Sequence, residues 1–149
     1  MTDEEIIREA ARLVADGVNV TFPVKGRSML PFIIGGKESV ILQKAGELKP
    51  GQVVLAEVGP ARFVLHRIVS VEPDGGRVVL MGDGNIRGTE SCRPDKVLAR
   101  ATHVVDPQGR KRSLESRQHM NRARFWRRLL PLRRYILWIM RKTIKKYDI

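Results

Sequence analysis

Gln52-Val53-Val54-Leu55-Ala56-Glu57-Val58 and Arg62-Phe63-Val64-Leu65-His66-Arg67-Ile68-Val69-Ser70-Val71 are two apolar runs of strand length. Lys49-Pro50-Gly51 precedes the first and Pro73-Asp74-Gly75-Gly76 follows the second. Val, Ile and Phe suit a pleated, half-buried surface, and Pro and Gly mark where the chain turns. The same rhythm extends outward through residues 18–24, 39–42, 77–81 and 96–105, closing at Asp106-Pro107-Gln108-Gly109. Short apolar runs divided by Gly/Pro turns predict a mainly β fold, a barrel or sandwich, rather than a βαβ unit.

Ahead of these runs, apolar residues at positions 6, 7, 10, 11, 13 and 14 predict an amphipathic helix. Thr2, with Glu5 three residues on, is its N-cap, and Asp16-Gly17 is its stop. A chain of 149 residues has the size of one domain. The expected organisation is an N-terminal helix (1–17), a β domain (18–107), a polar linker (108–121) and a helical tail (122–149). The single cysteine, Cys92, excludes an internal disulfide and a Cys-rich metal site, and reads as a small buried side chain. There is no Gly-rich phosphate loop and no His-Glu-x-x-His, so neither a metal nor a cofactor is expected.

Charge divides the chain a second way. Residues 1–109 hold 14 Lys and Arg against 14 Asp and Glu, while residues 110–149 hold 14 basic residues and only Glu115 and Asp148 as acids. The whole net charge of +12 therefore belongs to the tail. There Phe125, Leu129, Leu132, Ile136, Ile139, Met140 and Tyr147 fall near one helical face, widened by Trp126, Leu130 and Leu137. Arg124, Arg127, Arg128, Arg134, Arg141 and Lys145 lie largely elsewhere, which describes a basic amphipathic helix kinked at Pro131. Such a face serves as an interfacial anchor on anionic lipid, or packs on the body, on the N-terminal helix or on a second copy. Nucleic-acid binding ranks behind these, because charge alone gives only salt-sensitive, non-specific affinity. A bilayer span needs about 20 mostly apolar residues, and the uncharged stretch 135–140 is far shorter. The N-terminus, Met1-Thr2-Asp3-Glu4-Glu5, is the reverse of a cationic signal-peptide start. A cytoplasmic protein, peripheral on the inner face of the membrane if the tail binds lipid, is expected.

The chemistry-bearing residues lie in three short stretches. Gly26-Arg27-Ser28-Met29-Leu30-Pro31 holds a serine in a turn just after an apolar run, where a nucleophile can be presented. A serine hydroxyl needs a base, and of His66, His103 and His119, His66 lies inside a predicted strand, which would hold it more rigidly than a mobile tail would. His103 falls late in the last core run and His119 in the polar linker, and both read as incidental. Leu80-Met81-Gly82-Asp83-Gly84-Asn85 then places Asp83 between two glycines. Serine, histidine and aspartate supply the nucleophile, the base and the group that orients the imidazole in acyl transfer. Taken singly, each has a commoner structural explanation: a serine turn, a strand histidine, a Gly-Asp-Gly hairpin.

In this order, Ser28-Met29-Leu30-Pro31, Gly51 to Leu55, Leu65-His66-Arg67-Ile68-Val69 and Gly82-Asp83-Gly84-Asn85 resemble the peptidase core of signal peptidase I and LexA-type repressors, over roughly residues 20–105. The resemblance implies a signal-peptidase/LexA-like β-barrel. His66 stands where most bacterial members carry lysine, as in the endoplasmic-reticulum and archaeal signal peptidases, so the implied enzyme is a Ser-His-Asp endopeptidase. Ser28 is then the nucleophile, His66 the base and Asp83 the acid, with Glu90 or Asp95 as a second acid. Gly84 replaces the first asparagine of the Gly-Asp-Asn-Asn box. Gly26 stands where some members place an oxyanion-donating serine, which leaves the Ser28 backbone N–H as donor; one such donor lowers the barrier by about 2.7–4 kcal/mol. The implied substrate is an extended peptide or leader-type sequence with small residues before the cut. The competing expectations are a peptide-binding module without turnover and an adaptor that works through its basic tail.

Overall fold

Val53 and Leu55 point to one face of their strand and Val54 and Ala56 to the other, and all four are buried. A strand covered on both faces has no place for alternating polar residues, which accounts for the unbroken apolar run. The computed structural model describes residues 2–85, 88–129, 132 and 136–140. Among them eight strands form one antiparallel sheet: β1 (Val20–Pro23), β2 (Ser39–Gln43), β3 (Val53–Gly59), β4 (Arg62–Val71), β5 (Val78–Met81), β6 (Glu90–Cys92), β7 (Val97–Val105) and β8 (Lys111–Ser113). Helix α1 (Asp3–Ala15) precedes the sheet and α2 (Arg117–Arg128) follows it.

The strand order is β1-β2-β7-β3-β4-β5-β6, with β8 continuing alongside β7. The chain is thus mainly β, but the sheet does not close into the expected barrel. Closure needs a register that brings the first strand against the last. Here β6 is an end of the sheet and packs over β3 instead, in a cluster of Val54, Ala56, Ile68, Val78, Leu80 and Cys92. The larger cluster on the other face joins Val40 and Leu42 of β2, Val53 and Leu55 of β3 and Ala99, Ala101 and Val104 of β7 to Val14 of α1.

Helix α1 has the expected cap, the Glu5 N–H donating to Thr2 Oγ1 at 3.2 Å. Acidic residues fill its first turn, and Gly17, at φ +88°, leads the chain out after Asp16. The stretch 108–121 is not a linker. Residues 111–113 pair with His103–Val105 as β8, and α2 starts at Arg117 rather than 122, capped by Ser116 Oγ, which accepts from the His119 N–H at 3.1 Å. Polar composition concealed both elements, since β8 is held by backbone pairing and α2 by an N-cap and a few buried side chains.

Part of the tail packs on the body: Trp126, and Leu137 of the helical stretch 136–140, form a buried cluster with Leu30. Phe125, Leu132, Trp138 and Ile139 are exposed. The expected kink at Pro131, and with it Leu130, Arg134, Arg141, Lys145 and Tyr147, lies outside the described residues. Among the described residues no helix is long and apolar enough to cross a membrane.

Candidate functional site

Ser28 belongs to the loop between β1 and β2, and the loop is anchored immediately after it. Met29, Leu30 and Ile33 are almost wholly buried, whereas Ser28 itself is half-buried. Gly26, at φ +79°, makes the turn into this segment. From the other side the turn 82–85 closes on the loop, the Gly84 N–H donating to the Ser28 carbonyl at 2.7 Å. The approach is close enough to demand both glycines. A Cβ on Gly82 would overlap the Ser28 carbonyl oxygen, and one on Gly84 the Arg27 carbonyl oxygen.

Adjacent residues of a strand face opposite sides, and β4 uses this to separate His66 from Arg67. Arg67 clamps Asp83 in a two-pronged ion pair, Nε to Oδ1 at 2.9 Å and Nη2 to Oδ2 at 2.7 Å, with both side chains about 3% exposed. Its Nη1 donates to the Gly51 carbonyl at 2.9 Å, and the Asp83 carbonyl accepts from Trp126 Nε1 at 2.7 Å. The expected Asp83–His66 hydrogen bond is not formed, because the carboxylate is turned to the guanidinium and His66 Nδ1 has no hydrogen-bond partner. Asp83 instead fixes the turn that braces the Ser28 loop.

The carboxylate behind His66 is Glu90, on β6. Its Oε1 is 4.0 Å from His66 Nδ1 and is held by Arg62 Nη2 at 3.1 Å. Among the described residues, His66 Nδ1 and Glu90 Oε2 are both buried without a hydrogen-bond partner. Buried orphan groups are few in folded proteins, and strain, a catalytic role or an ordered water or ion accounts for them. Burial pushes the His66 pKa below the ordinary 6.5; Glu90 and Asp83 pull it partly back, and Arg62 opposes them. The imidazole is therefore neutral at neutral pH, as a general base must be.

Ser28, His66, Asn85 and Glu90 open on one cavity of about 370 Å³, with Lys25 and Arg62 also in its wall. Lys25 is ion-paired to Asp3 at 3.0 Å. Asp95, the other second-acid candidate, lies on the surface paired with Arg93 at 3.4 Å. Cys92 is buried as expected, and burial raises its thiol pKa, against a nucleophilic role. His103 lies against Thr102 Oγ1, with Nδ1 at 3.0 Å. Among the described residues no group of His, Cys, Asp and Glu could hold a metal.

His119 is not incidental. Its Nε2 lies 3.0 Å from Arg67 Nη2 and its ring packs edge-on against Phe32, centroids 5.0 Å apart. A guanidinium only donates, so Nε2 accepts and the ring proton is on Nδ1. Burial, reinforced by Arg67, Arg112 and Arg122, pushes its pKa down to about 4. Arg67, His119 and Trp126 thus form a support behind Asp83 that sequence reasoning missed. The one available signal was that Arg67 directly follows His66 and must face the other way.

Comparisons with protein-family models, with curated proteins and with solved structures returned no match.

Proposed function

We propose that this chain is a serine endopeptidase in which Ser28 is the nucleophile, His66 the general base and Glu90 the carboxylate that orients His66. The observation that carries the reading is that Ser28 and His66 open on one cavity, with the Glu90 carboxylate in its wall and Glu90 Oε1 4.0 Å from His66 Nδ1. In the reaction His66 Nε2 takes the Ser28 proton as Oγ attacks the scissile carbonyl. The tetrahedral oxyanion is met by the Ser28 N–H, His66 returns the proton to the leaving amine, and water then hydrolyses the acyl-enzyme by the same route. Among the described residues no hydrogen bond yet joins Ser28 Oγ to His66, and such bonds tighten when substrate fills the site.

An extended peptide fits the site as an added strand. Strand β5 pairs with β4 only from Arg67 onward, so the edge of residues 62–66 on that side, which carries His66, is not used by β5. Main-chain hydrogen bonds to such an edge supply affinity while neighbouring pockets select side chains. The likeness to signal peptidase and LexA-type cores supports the same chemistry, with Glu90 in place of Asp83 as the orienting acid. The test is a pool of unstructured peptides read by mass spectrometry. Cleavage by the wild type that is lost in both Ser28→Ala and His66→Ala supports the reading, and cleavage that survives either substitution discards it.

A second reading, an adaptor working through its tail, is favoured by one observation: Phe125, Leu132, Trp138 and Ile139 are 54–64% exposed in the segment that carries the excess positive charge. It is compatible with the first, a cytoplasmic peptidase held at an anionic membrane surface.

A further inference from the structure

A second cavity of about 380 Å³ adjoins the first and shares five of its wall residues, Val24, Lys25 and Phe63 to Leu65. Its floor is apolar, made by Val40, Leu42 and Leu55, all buried, with Phe22 at the side. Helix α1 forms the roof through Ile6 and Ile7. The helix is pinned on both sides of the opening, by Asp3 to Lys25 at 3.0 Å and by Arg8 to Glu57 at 3.1 Å, with the Arg8 guanidinium 5.1 Å over the Phe63 ring. A void this large, bounded by apolar side chains and adjoining the cavity that Ser28 lines, has the size range and lining of a ligand pocket rather than of a packing defect.

We propose that this cavity receives one bulky apolar side chain, Leu, Ile, Met or Phe, of the peptide bound along residues 62–66, and that α1 is the specificity-determining roof. The inference rests on the peptidase reading for the path of the peptide. Side chains of an added strand alternate between the two faces of the sheet. Those directed to the face of Phe63 and Leu65, opposite the face of His66, meet the cavity. The selected residue therefore alternates along the peptide with residues whose side chains face His66. Val14 anchors the far end of the roof helix in the core, while the end over the cavity is pinned by ion pairs that alone would not hold it shut.

The test is direct binding of short fluorescent peptides to the Ser28→Ala full-length chain. Leu, Phe, Ala or Asp is walked through an Ala/Gly background and affinity is read by anisotropy. The proposal expects Leu or Phe at one position to bind at least about tenfold tighter than Ala there, with Asp at that position the weakest. Ile7→Trp, which fills the cavity from the roof, should abolish that preference while circular dichroism and melting temperature stay near those of the parent. The substitution-free series already decides the matter if Ile7→Trp fails to fold. A profile flat at every position, or a preference untouched by a folded Ile7→Trp, overturns the proposal. Position-specific binding without any cleavage by the wild type would leave the pocket standing and sink the peptidase reading. Cleavage with a flat profile would do the reverse.

Discussion

Two acids compete for one histidine, and the geometry separates their roles. Asp83 is spent on Arg67 in a buried two-pronged pair, whereas Glu90 brings Oε1 to 4.0 Å from His66 Nδ1. Removing one member of a buried ion pair strands the other, at about 3–5 kcal/mol, so Asp83→Asn should be recognised by a lowered melting temperature. Glu90→Gln should leave stability near wild type and reduce kcat/KM by about 10²–10⁴. It should also move the acid limb of the pH profile to lower pH, because the Glu90 charge raises the His66 pKa. In the wild type that limb should lie below 6.5, the side to which burial moves His66. A folded, inactive Asp83→Asn beside a fully active Glu90→Gln would return the orienting role to Asp83. His119 gives a stability prediction of its own. Its pKa falls from 6.5 to about 4 on folding, so the folded chain binds fewer protons than the unfolded one. Its contribution is complete above pH 6.5 and is lost as pH falls toward 4. Urea titrations should show His119→Gln, which can still accept from Arg67, losing less stability over this window than the wild type.

Among the elements, the turn 82–85 carries the precision of the site. It touches Ser28 through backbone, and its two glycines are there for contact rather than for unusual dihedrals. Gly84→Ala forces the turn away from the Ser28 loop. An overpacking cost of about 1–3 kcal/mol is expected, and activity should fall further than the loss of folded protein explains. Equal activity per folded molecule, from parallel assays of turnover and denaturation, would refute this bracing role. Strand β4 was legible to the residue, because its apolar run is long and bounded by turns. Strands β6 and β8 were not: Glu90-Ser91-Cys92 and Lys111-Arg112-Ser113 have no alternation to read, and both exist through pairing with a neighbour already in place. The Asp83–Arg67 clamp was hidden for a related reason, since sequence order ranks acids by motif while only the folded strand shows which side of β4 each one meets.

Across the whole molecule, composition located the charge asymmetry correctly but not the boundary it implied, because α2 begins in the stretch that charge and polarity marked as linker. Barrel closure was illegible too, being a property of register between distant strands rather than of any one strand. The tail is neither wholly free nor wholly docked. Trp126 and Leu137 are buried against Leu30, while Phe125, Trp138 and Ile139 face outward. The adaptor reading predicts sedimentation with vesicles containing anionic lipid. Binding should weaken with added salt, and Phe125→Ser with Trp138→Ser should reduce it severalfold. Binding that is equal on neutral vesicles and insensitive to the double substitution would remove the membrane from the account.

The central claim is that Ser28 is an activated nucleophile, and the most direct measurement is intact mass after exposure to a serine-reactive phosphonate. The account predicts one adduct on the wild type, absent from Ser28→Ala and strongly slowed in His66→Ala. No adduct on the wild type between pH 6 and 9, with or without anionic vesicles, would contradict it.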